Sequence, residues 1–173
     1  AMRAAMNGEA EMSYTADVGM TELYARVGPH QGFRPRVGDL VHTLYVYPME
    51  TFLAVPADRA ANFKSWADFS GKPVYFTPAG YMNWSNLQRI FNALGYQFNH
   101  VEIDSSLLAD ALRAGSIVGA GAYTTAGASL PTFWKEAELR IDVRVVNPSP
   151  EEREKLAAAG LVPMRVDPKK AFT

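Results

Sequence analysis

The sequence contains no cysteine, which excludes disulfide bonds, thiolate nucleophiles and cysteine-based zinc sites. Its three histidines, His30, His42 and His100, are too far apart along the chain to form a metal-ligand motif. Neither the G-x-x-x-x-G-K-S/T phosphate loop nor the dinucleotide-binding glycine pattern occurs. The residues therefore predict no metal centre and no cofactor.

Charge of one sign is not in excess, and long apolar runs are missing. The 173 residues include 17 Lys and Arg against 18 Asp and Glu, a formal net charge of -1, so we expect no nucleic-acid partner. No apolar run approaches the roughly 20 residues of a membrane-spanning helix. No basic-then-apolar leader begins the chain, as expected of a mature or trimmed sequence. With 48% apolar residues, the chain can bury a core of one domain or slightly more.

The first third of the sequence has no regular pattern. Residues 2–17 are typical of a helix end, a break at Gly8 and a short strand that ends at Asp17. The glycines and prolines of residues 27–40 indicate a loop. Residues 41–56 form two apolar runs interrupted at Pro48, which predicts two strands or one strand with a bend.

From Ser65 onward, strands alternate with short helices. Ser65 and Asp68 have capping-box spacing before a strand at 73–78, and residues 86–94 form an amphipathic helix that Gly95 ends. The alternation predicts a mixed, mainly parallel α/β sheet with helices on both faces. The remaining predicted strands are 100–104, 117–123, 139–146 and 161–166, and the remaining helices are 105–115, 131–138 and 149–160.

Three details of this pattern are specific predictions. Leu107 should lie on the buried face of the helix 105–115, together with Leu108, Ala111 and Leu112. The strand 117–123 is so poor in side chains that another backbone or a ligand should approach it closely. Ser149 should cap the helix 149–160 in a capping box with Glu152, while the carboxylates at 151, 152 and 154 should face solvent.

The turn from Thr77 to Asn83 is the first candidate site. It follows a strand and precedes a helix, where backbone N–H groups and the positive helix end suit a carboxylate or phosphate. Tyr81 and Trp84 project near this turn, either as walls of a ligand site or as side chains packed under a neighbouring segment. Asn83 or Ser85 is the expected helix cap.

Residues 122–129 form the second candidate segment. The hydroxyl groups of Tyr123, Thr124 and Thr125 leave a strand beside Gly127, where they could bind a ligand, or the segment is a capped turn in which Ser129 begins the next helix. There is no G-x-S-x-G motif and no serine paired with a recognisable base, so we expect a binding function and no enzyme.

Several segments, in order, resemble one family. The run ADFSGKPVYFTPAGYMNWSNLQRIFNALGY at 67–96 resembles the strand, glycine turn and helix of the TAXI family of solute-binding proteins, which serve TRAP transporters. Residues 105–123 and 124–146 are similar to that family's next helix, strand and Ala-Gly turn. Residues 7–28 and 44–58 are similar to its Gly-Glu-Ala-Asp strand and its crossing strands. The resemblance covers nearly all 173 residues.

This resemblance implies a type II periplasmic-binding-protein fold with two α/β lobes that close on a ligand. The protein would be periplasmic or otherwise extracytoplasmic, bind a small organic acid, and deliver it to the membrane permease subunits of a TRAP transporter. Family members are associated with small carboxylates such as glutamate, and a cation sometimes assists ligand binding. A ligand-sensing effector or interaction module of the same fold is the alternative.

The resemblance also assigns domains. Residues 1–51 would be a remnant of the first lobe with a crossing strand, 52–146 the second α/β lobe, and 147–173 a helix and strand that return toward the first lobe. The chain would then lack the opening strand and helix of the first lobe and the C-terminal return to it. A lobe alone exposes its cleft face, which could drive homodimerisation.

The site departs from the family pattern. Gly80 keeps the first glycine of the family's turn, whereas Tyr81, Met82 and Asn83 stand where Ser, Gly and Thr are usual. These bulky residues argue against glutamate: they either push the ligand outward or favour an acid with a flatter, less polar body. In the first lobe, Asp17 stands for the last residue of the usual Gln-Ser-Asp. The predicted ligand-binding residues are Asp17, Thr77, Gly80, Tyr81, Asn83, Trp84, Tyr123, Thr124, Thr125 and Gly127.

Overall fold

The structure, a computed structural model, describes residues 2–34, 41 and 43–172. Tertiary contacts divide the chain into two compact units, Ala1–Val46 and Tyr47–Thr173. Among the described residues, no helix is both long enough and apolar enough to cross a membrane. His42 and residues 35–40 of the loop predicted at 27–40 lie outside the described residues.

The regular elements in the described part of the first unit are helices. It contains α1 (Met2–Met6) and α2 (Asp17–Ala25), followed by a 3-10 turn at Gly28–His30. The strand predicted to end at Asp17 was wrong, because residues 9–16 are irregular and Asp17 begins α2. A carboxylate in a first helical turn complements the positive end of the helix, a preference that competes with the strand pattern.

A five-stranded mixed sheet forms the centre of the second unit, as predicted. Its spatial order is β3-β2-β4-β1-β5. β2 pairs in parallel with β3 and β4, and β1 pairs antiparallel with β4 and β5. The strands are β1 (Met49–Pro56), β2 (Pro73–Tyr75), β3 (Asn99–His100), β4 (Gly119–Thr125) and β5 (Val143–Val146).

Helices cover both faces of this sheet, which confirms the predicted layering. Side chains of β1 alternate between the faces: Phe52 and Ala54 join the core under α4 (Leu108–Ala114) and α5 (Thr132–Glu138). Leu53 and Val55 join the core under α3 (Met82–Leu94) and α6 (Pro150–Ala158). Phe172 follows the last helix, α7 (Pro168–Ala171), and its ring lies 5.6 Å from that of Phe52.

Helix α3 follows its sequence pattern closely. It ends at Gly95, which adopts the left-handed conformation (φ 75) and donates its N–H to the carbonyls of the last turn. The four apolar residues of the predicted face are all buried: Leu87, Ile90, Phe91 and Leu94.

The small residues of β4 make room for two phenyl rings. A Cβ atom at Gly121 would lie 2.6 Å from the ring of Phe76. At Gly119 it would lie 2.6 Å from the ring of Phe69 and 2.8 Å from the carbonyl oxygen of Ala54. The close approach predicted at this strand is therefore made by core side chains and by the neighbouring strand.

Several predicted strands are shorter than expected or do not form. Residues 43–48 and 161–166 are irregular, and the strand predicted at 139–146 is reduced to β5. Strand composition alone is insufficient, because an isolated extended segment needs a partner strand for its backbone hydrogen bonds. Leu107 is 52% exposed, against prediction, because it lies in a 3-10 turn (Ser105–Leu107) before α4 begins.

Glu152, predicted to face solvent, is only 3% exposed. Its Oε1 accepts hydrogen bonds from the N–H of Ala67 (2.7 Å) and the hydroxyl of Tyr96 (2.8 Å), and its Oε2 from the N–H of Trp66 (3.2 Å) and of Ser149 (2.6 Å). Burial raises the pKa of Glu152, but these four hydrogen bonds outweigh burial and hold the pKa below its ordinary value. The predicted capping boxes at Ser65 and at Ser149 both form. Glu152 belongs to the second box and connects it to the turn that Ser65 caps, through the N–H groups of Trp66 and Ala67.

Candidate functional site

The carboxyl ends of β2, β3 and β4 lie at one edge of the sheet because these strands are parallel. β1 runs antiparallel to β4, with Met49 opposite Thr125 and Glu50 opposite Thr124, so the start of β1 lies at the same edge. Four segments meet there, residues 47–51, 77–86, 101–107 and 122–131. We call this region the strand-end edge.

The turn from Thr77 to Tyr81 connects β2 to α3 at the strand-end edge. Tyr81 is the N-cap of α3, preceded by Gly80 in the left-handed conformation (φ 87). The hydroxyl of Thr77 accepts a hydrogen bond from the N–H of Trp84 at 3.0 Å and thereby caps the helix. The predicted caps Asn83 and Ser85 instead lie inside α3.

Three amide groups of this turn make no hydrogen bond to another described residue: the N–H groups of Gly80, Met82 and Asn83. The first turn of α3 contains no acidic residue, so no carboxylate on the helix itself neutralises its positive end. A Cβ atom at Gly80 would meet nothing within 4 Å, which leaves the turn open on that side. Converging free N–H groups at an open helix N-terminus are suited to an anionic oxygen.

The two aromatic residues of the turn have different environments. Tyr81 is 64% exposed and is therefore not a core residue. Trp84 is partly buried, with its ring 6.2 Å from the rings of both Phe98 and His100. The Nε1 atom of Trp84 and the Oδ1 atom of Asn83 are buried without a hydrogen-bond partner. Buried polar atoms are nearly always satisfied, so these two atoms are available to a ligand or an ordered water.

His100, in β3, and Glu102, two residues beyond it, both contact the turn. The Nε2 atom of His100 lies 3.1 Å from the carbonyl oxygen of Thr77, and its Nδ1 lies 3.8 Å from Oε2 of Glu102. The same Oε2 accepts the N–H of Ala79 at 3.1 Å. Burial lowers the pKa of His100 below its ordinary value, although Glu102 and the Thr77 carbonyl act in the opposite direction. A neutral imidazole with its proton on Nε2 fits this geometry.

Sequence reasoning assigned no role to His100 or Glu102. Both belong to the segment predicted as the strand 100–104, and the signal that could have identified them is their place at the carboxyl end of a strand next to β2. In a parallel sheet, that position brings their side chains to the same edge as the Thr77 turn.

The second predicted segment reaches the strand-end edge as well. The ring of Tyr123 lies 6.2 Å from that of Phe76, just beyond β2. Thr124 is fully buried, and its hydroxyl donates to Oε2 of Glu50 at 2.7 Å. The N–H of Gly127 donates to the same oxygen at 2.9 Å, and Glu50 is itself 7% exposed. The Thr124 hydroxyl and the Gly127 N–H are thus engaged within the protein.

Thr125 begins a tight turn rather than an open loop. Its carbonyl accepts the N–H of Ala128 at 3.1 Å, and its N–H donates to the carbonyl of Ser129 at 3.2 Å. Ala126 and Gly127, the two central residues, both have positive φ angles of 52 and 65. Ser129 therefore belongs to this turn, and the N-cap of α5 is Pro131 and not Ser129 as predicted.

The remaining predicted residue, Asp17, belongs to the first unit, where it is exposed at the start of α2. Its assignment to the site stays a prediction. Within the described ranges, no group of three or more His, Asp or Glu side chains could hold a metal ion.

A cavity of about 330 Å³ lies between α5 and the segment that leads into α4, apart from the turn at Thr77. Its walls are largely apolar, and a weakly enclosed groove of this kind fixes no ligand chemistry. It is lined by Ser106, Leu108, Phe133, Glu136, Ala137, Leu139 and Arg140.

The charged residues of the strand-end edge are all acidic. Its four segments contain Glu50, Glu102 and Asp104 and no lysine or arginine. Asp104 is engaged locally, since its Oδ1 accepts the N–H and the hydroxyl of Ser106 at 2.9 and 2.8 Å. The side chain of Glu102 is 55% exposed, whereas Glu50 is 7% exposed, so Glu102 is open to a ligand at this edge.

Neither a protein-family model nor a curated protein matches the chain. Among solved structures, a periplasmic binding protein of an ABC transporter from Brucella ovis, with glutathione bound, is 16% identical with a TM-score of 0.44. The match covers 57% of this chain and 30% of that one. The periplasmic aliphatic sulphonate binding protein from Escherichia coli is 18% identical with a TM-score of 0.43, over 66% of this chain and 44% of that one.

The matched region spans less than half of either of these proteins. Both are periplasmic binding proteins by description, and at this level the likeness concerns part of the fold alone. The ligand site proposed below therefore rests on the residues of the strand-end edge.

Proposed function

We propose that the second unit binds a small organic acid at the turn between β2 and α3. The observation that carries this proposal is the set of unpaired N–H groups of Gly80, Met82 and Asn83 at the open N-terminus of α3. Hydrogen bonds from backbone N–H groups to an ionised acid are shorter and stronger than neutral ones. The helix end adds a fixed positive potential at the same place.

The body of the acid would lie beside the two aromatic residues of the turn. Tyr81 is exposed and offers a flat wall, while the buried Nε1 of Trp84 offers one further donor. The Thr77 hydroxyl and the carbonyl contact of His100 hold the backbone of the turn in place. A ligand would therefore meet donors that are already oriented, which reduces the ordering cost of binding.

We further propose that the protein is the extracytoplasmic solute-binding subunit of a TRAP-type transporter of the TAXI family, which delivers the acid to membrane permease subunits and catalyses nothing. The ordered resemblance of the sequence to that family supports this role. The lobe assignment at 1–51, 52–146 and 147–173 belongs to the same proposal, as do Asp17 as a ligand residue from the first lobe and homodimerisation of the chain.

A titration of the ¹⁵N-labelled protein with benzoate tests the ligand site directly. Benzoate joins a carboxylate to a flat apolar body, as the turn and Tyr81 require. We expect saturable shifts of the amide signals of Gly80, Met82 and Asn83 and of the Trp84 indole N–H. Shifts confined to other regions, or no shift up to tens of millimolar benzoate, would refute the site.

The Tyr81→Ala variant tests the aromatic wall without adding a capping hydroxyl at the N-cap of α3. Because Tyr81 is 64% exposed, we expect the free energy of unfolding to change by less than about 0.5 kcal/mol while the Kd for benzoate rises several-fold. Tyr45→Ala, at a tyrosine that is 61% exposed in the first unit, is the matched control and should leave both quantities unchanged. Equal benzoate affinity in the two variants would remove Tyr81 from the site.

Native mass spectrometry of protein purified gently from its source tests the physiological ligand. A co-purified organic acid that is released on denaturation would name the substrate and support the transport role. Absence of any co-purified acid, together with no stabilisation in a thermal screen of organic acids, would contradict it.

A further inference from the structure

We infer that Glu102 is a selectivity residue that restricts the turn at Gly80 to acids with a single negative charge. The inference rests on the proposed function, because it concerns the same turn. The carboxylate of Glu102 is fixed there by a hydrogen bond of 3.1 Å from the N–H of Ala79, the residue that precedes Gly80.

The distance between Glu102 and a bound anion follows from this contact. Consecutive Cα atoms are about 3.8 Å apart, so an anion bound to the N–H of Gly80 would lie about 6–9 Å from the Glu102 carboxylate. At a partly exposed protein surface, each unit of ligand charge at that distance is repelled enough to weaken binding by about threefold to tenfold. A second negative charge on the ligand therefore carries a second penalty of this size.

Within the four segments of the strand-end edge, no lysine or arginine offsets the charge of Glu102. The other carboxylates of these segments, Glu50 and Asp104, have the same sign. His100 is the titratable base that contacts Glu102, at 3.8 Å, and burial lowers the pKa of its ring, which favours a neutral imidazole at neutral pH. The positive end of α3 is thus balanced against one carboxylate, which suits a monoanion better than a dianion.

A matched pair of probes isolates this effect. Benzenesulfonate and phenylphosphonate have similar tetrahedral head groups on the same ring, but at about pH 9 the phosphonate carries two charges and the sulfonate one. Their affinities are measured on the whole chain at that pH by ¹³C titration, following the carbon-bound protons of Gly80 and of the Trp84 ring, which do not exchange with water. The variants are Glu102→Gln, whose amide oxygen can still accept the N–H of Ala79, and Glu154→Gln, an exposed carboxylate on α6, as the control.

We expect the wild-type protein and Glu154→Gln to prefer the sulfonate, and Glu102→Gln to reduce that preference by about threefold to tenfold. If both probes shift Gly80 but the preference is the same in Glu102→Gln as in the wild type, the inference is overturned and the proposed function stands. If neither probe shifts Gly80 in any of the three proteins, the anion site itself fails and the selectivity role fails with it.

Discussion

Replacement of the buried carboxylate Glu152 should destabilise the second unit more than replacement of any exposed glutamate on the same helix. Glu152 is 3% exposed and accepts four hydrogen bonds, from Ser149 on its own helix and from Trp66, Ala67 and Tyr96 elsewhere in the chain. In Glu152→Gln the amide NH₂ would replace either Oε1 or Oε2, so at least one buried backbone N–H loses its acceptor and the remaining hydrogen bonds lose a charged one.

The size of the loss follows from these bonds. A hydrogen bond to a charged group contributes about 1.5–3 kcal/mol, and an unsatisfied buried donor costs a similar amount, so we expect Glu152→Gln to lower the free energy of unfolding by about 3–5 kcal/mol. Glu151→Gln, one position earlier and exposed, is the matched control and should lower it by less than about 1 kcal/mol. Urea unfolding followed by tryptophan fluorescence measures both, since Trp66 is buried beside Glu152.

The pH dependence gives a second test of the same carboxylate. Because its folded-state pKa lies below the ordinary value of 4.5, Glu152 binds fewer protons folded than unfolded. Its contribution is therefore complete above pH 4.5 and is lost as the pH falls through the folded-state pKa. The difference in the free energy of unfolding between wild type and Glu152→Gln should be constant near neutrality and should become smaller in acid. If the two free energies of unfolding agree within about 0.5 kcal/mol at pH 7, the reasoning is refuted.

Two further predictions concern β4 and the turn that follows it. Gly121→Ala should destabilise the protein by about 1–3 kcal/mol in the same urea assay, because the new methyl group would lie 2.6 Å from the buried ring of Phe76. An unchanged unfolding midpoint would show that the ring can move. Ala126→Gly should be neutral or stabilising by up to about 1 kcal/mol, because Ala126 has a positive φ of 52. Gly127→Ala, at a φ of 65, should destabilise the protein by about 1 kcal/mol for the same reason. The opposite order of stabilities would contradict the turn geometry.

Local signals in the sequence predicted the helices of the second unit well. A capping box needs two residues three positions apart, and both predicted boxes, at Ser65 and Ser149, are present. α3 has the predicted buried face and ends at Gly95. These features depend on neighbours along the chain, and such neighbours are visible in a sequence.

Features that depend on distant partners were missed or overestimated. Glu152 reads as part of an acidic helix face, yet its Oε1 and Oε2 bond to residues 56 to 86 positions away, and no sequence period records such partners. Likewise, the apolar segments 43–48 and 161–166 have strand composition without a strand beside them in the described structure. Strand formation requires a pairing edge, which composition cannot provide.

The candidate site combines both situations. Sequence reasoning located the turn at Gly80 and the hydroxyl groups at the end of β4, because strand-to-helix turns at the carboxyl ends of parallel strands are visible in the pattern. It could not show that Glu50 engages the hydroxyl of Thr124 and the N–H of Gly127, or that Glu102 engages Ala79. These contacts leave fewer free donors than the residue types suggest.

The charge at the strand-end edge shows why the net charge of the chain says little about its ligand. The whole chain has a formal charge of -1, but the four segments of this edge carry three carboxylates and neither lysine nor arginine. Two of the carboxylates, Glu50 and Asp104, are engaged in hydrogen bonds that fix the loops beside the turn. Attraction of an acid to this edge must then come from the backbone N–H groups of the turn. Helix α3 fixes the direction of these groups, and the amino-acid composition does not reveal them. Since Glu102 opposes additional negative charge at the same turn, the shape of an acid and its number of charges, rather than its overall attraction to the protein, should decide whether it binds.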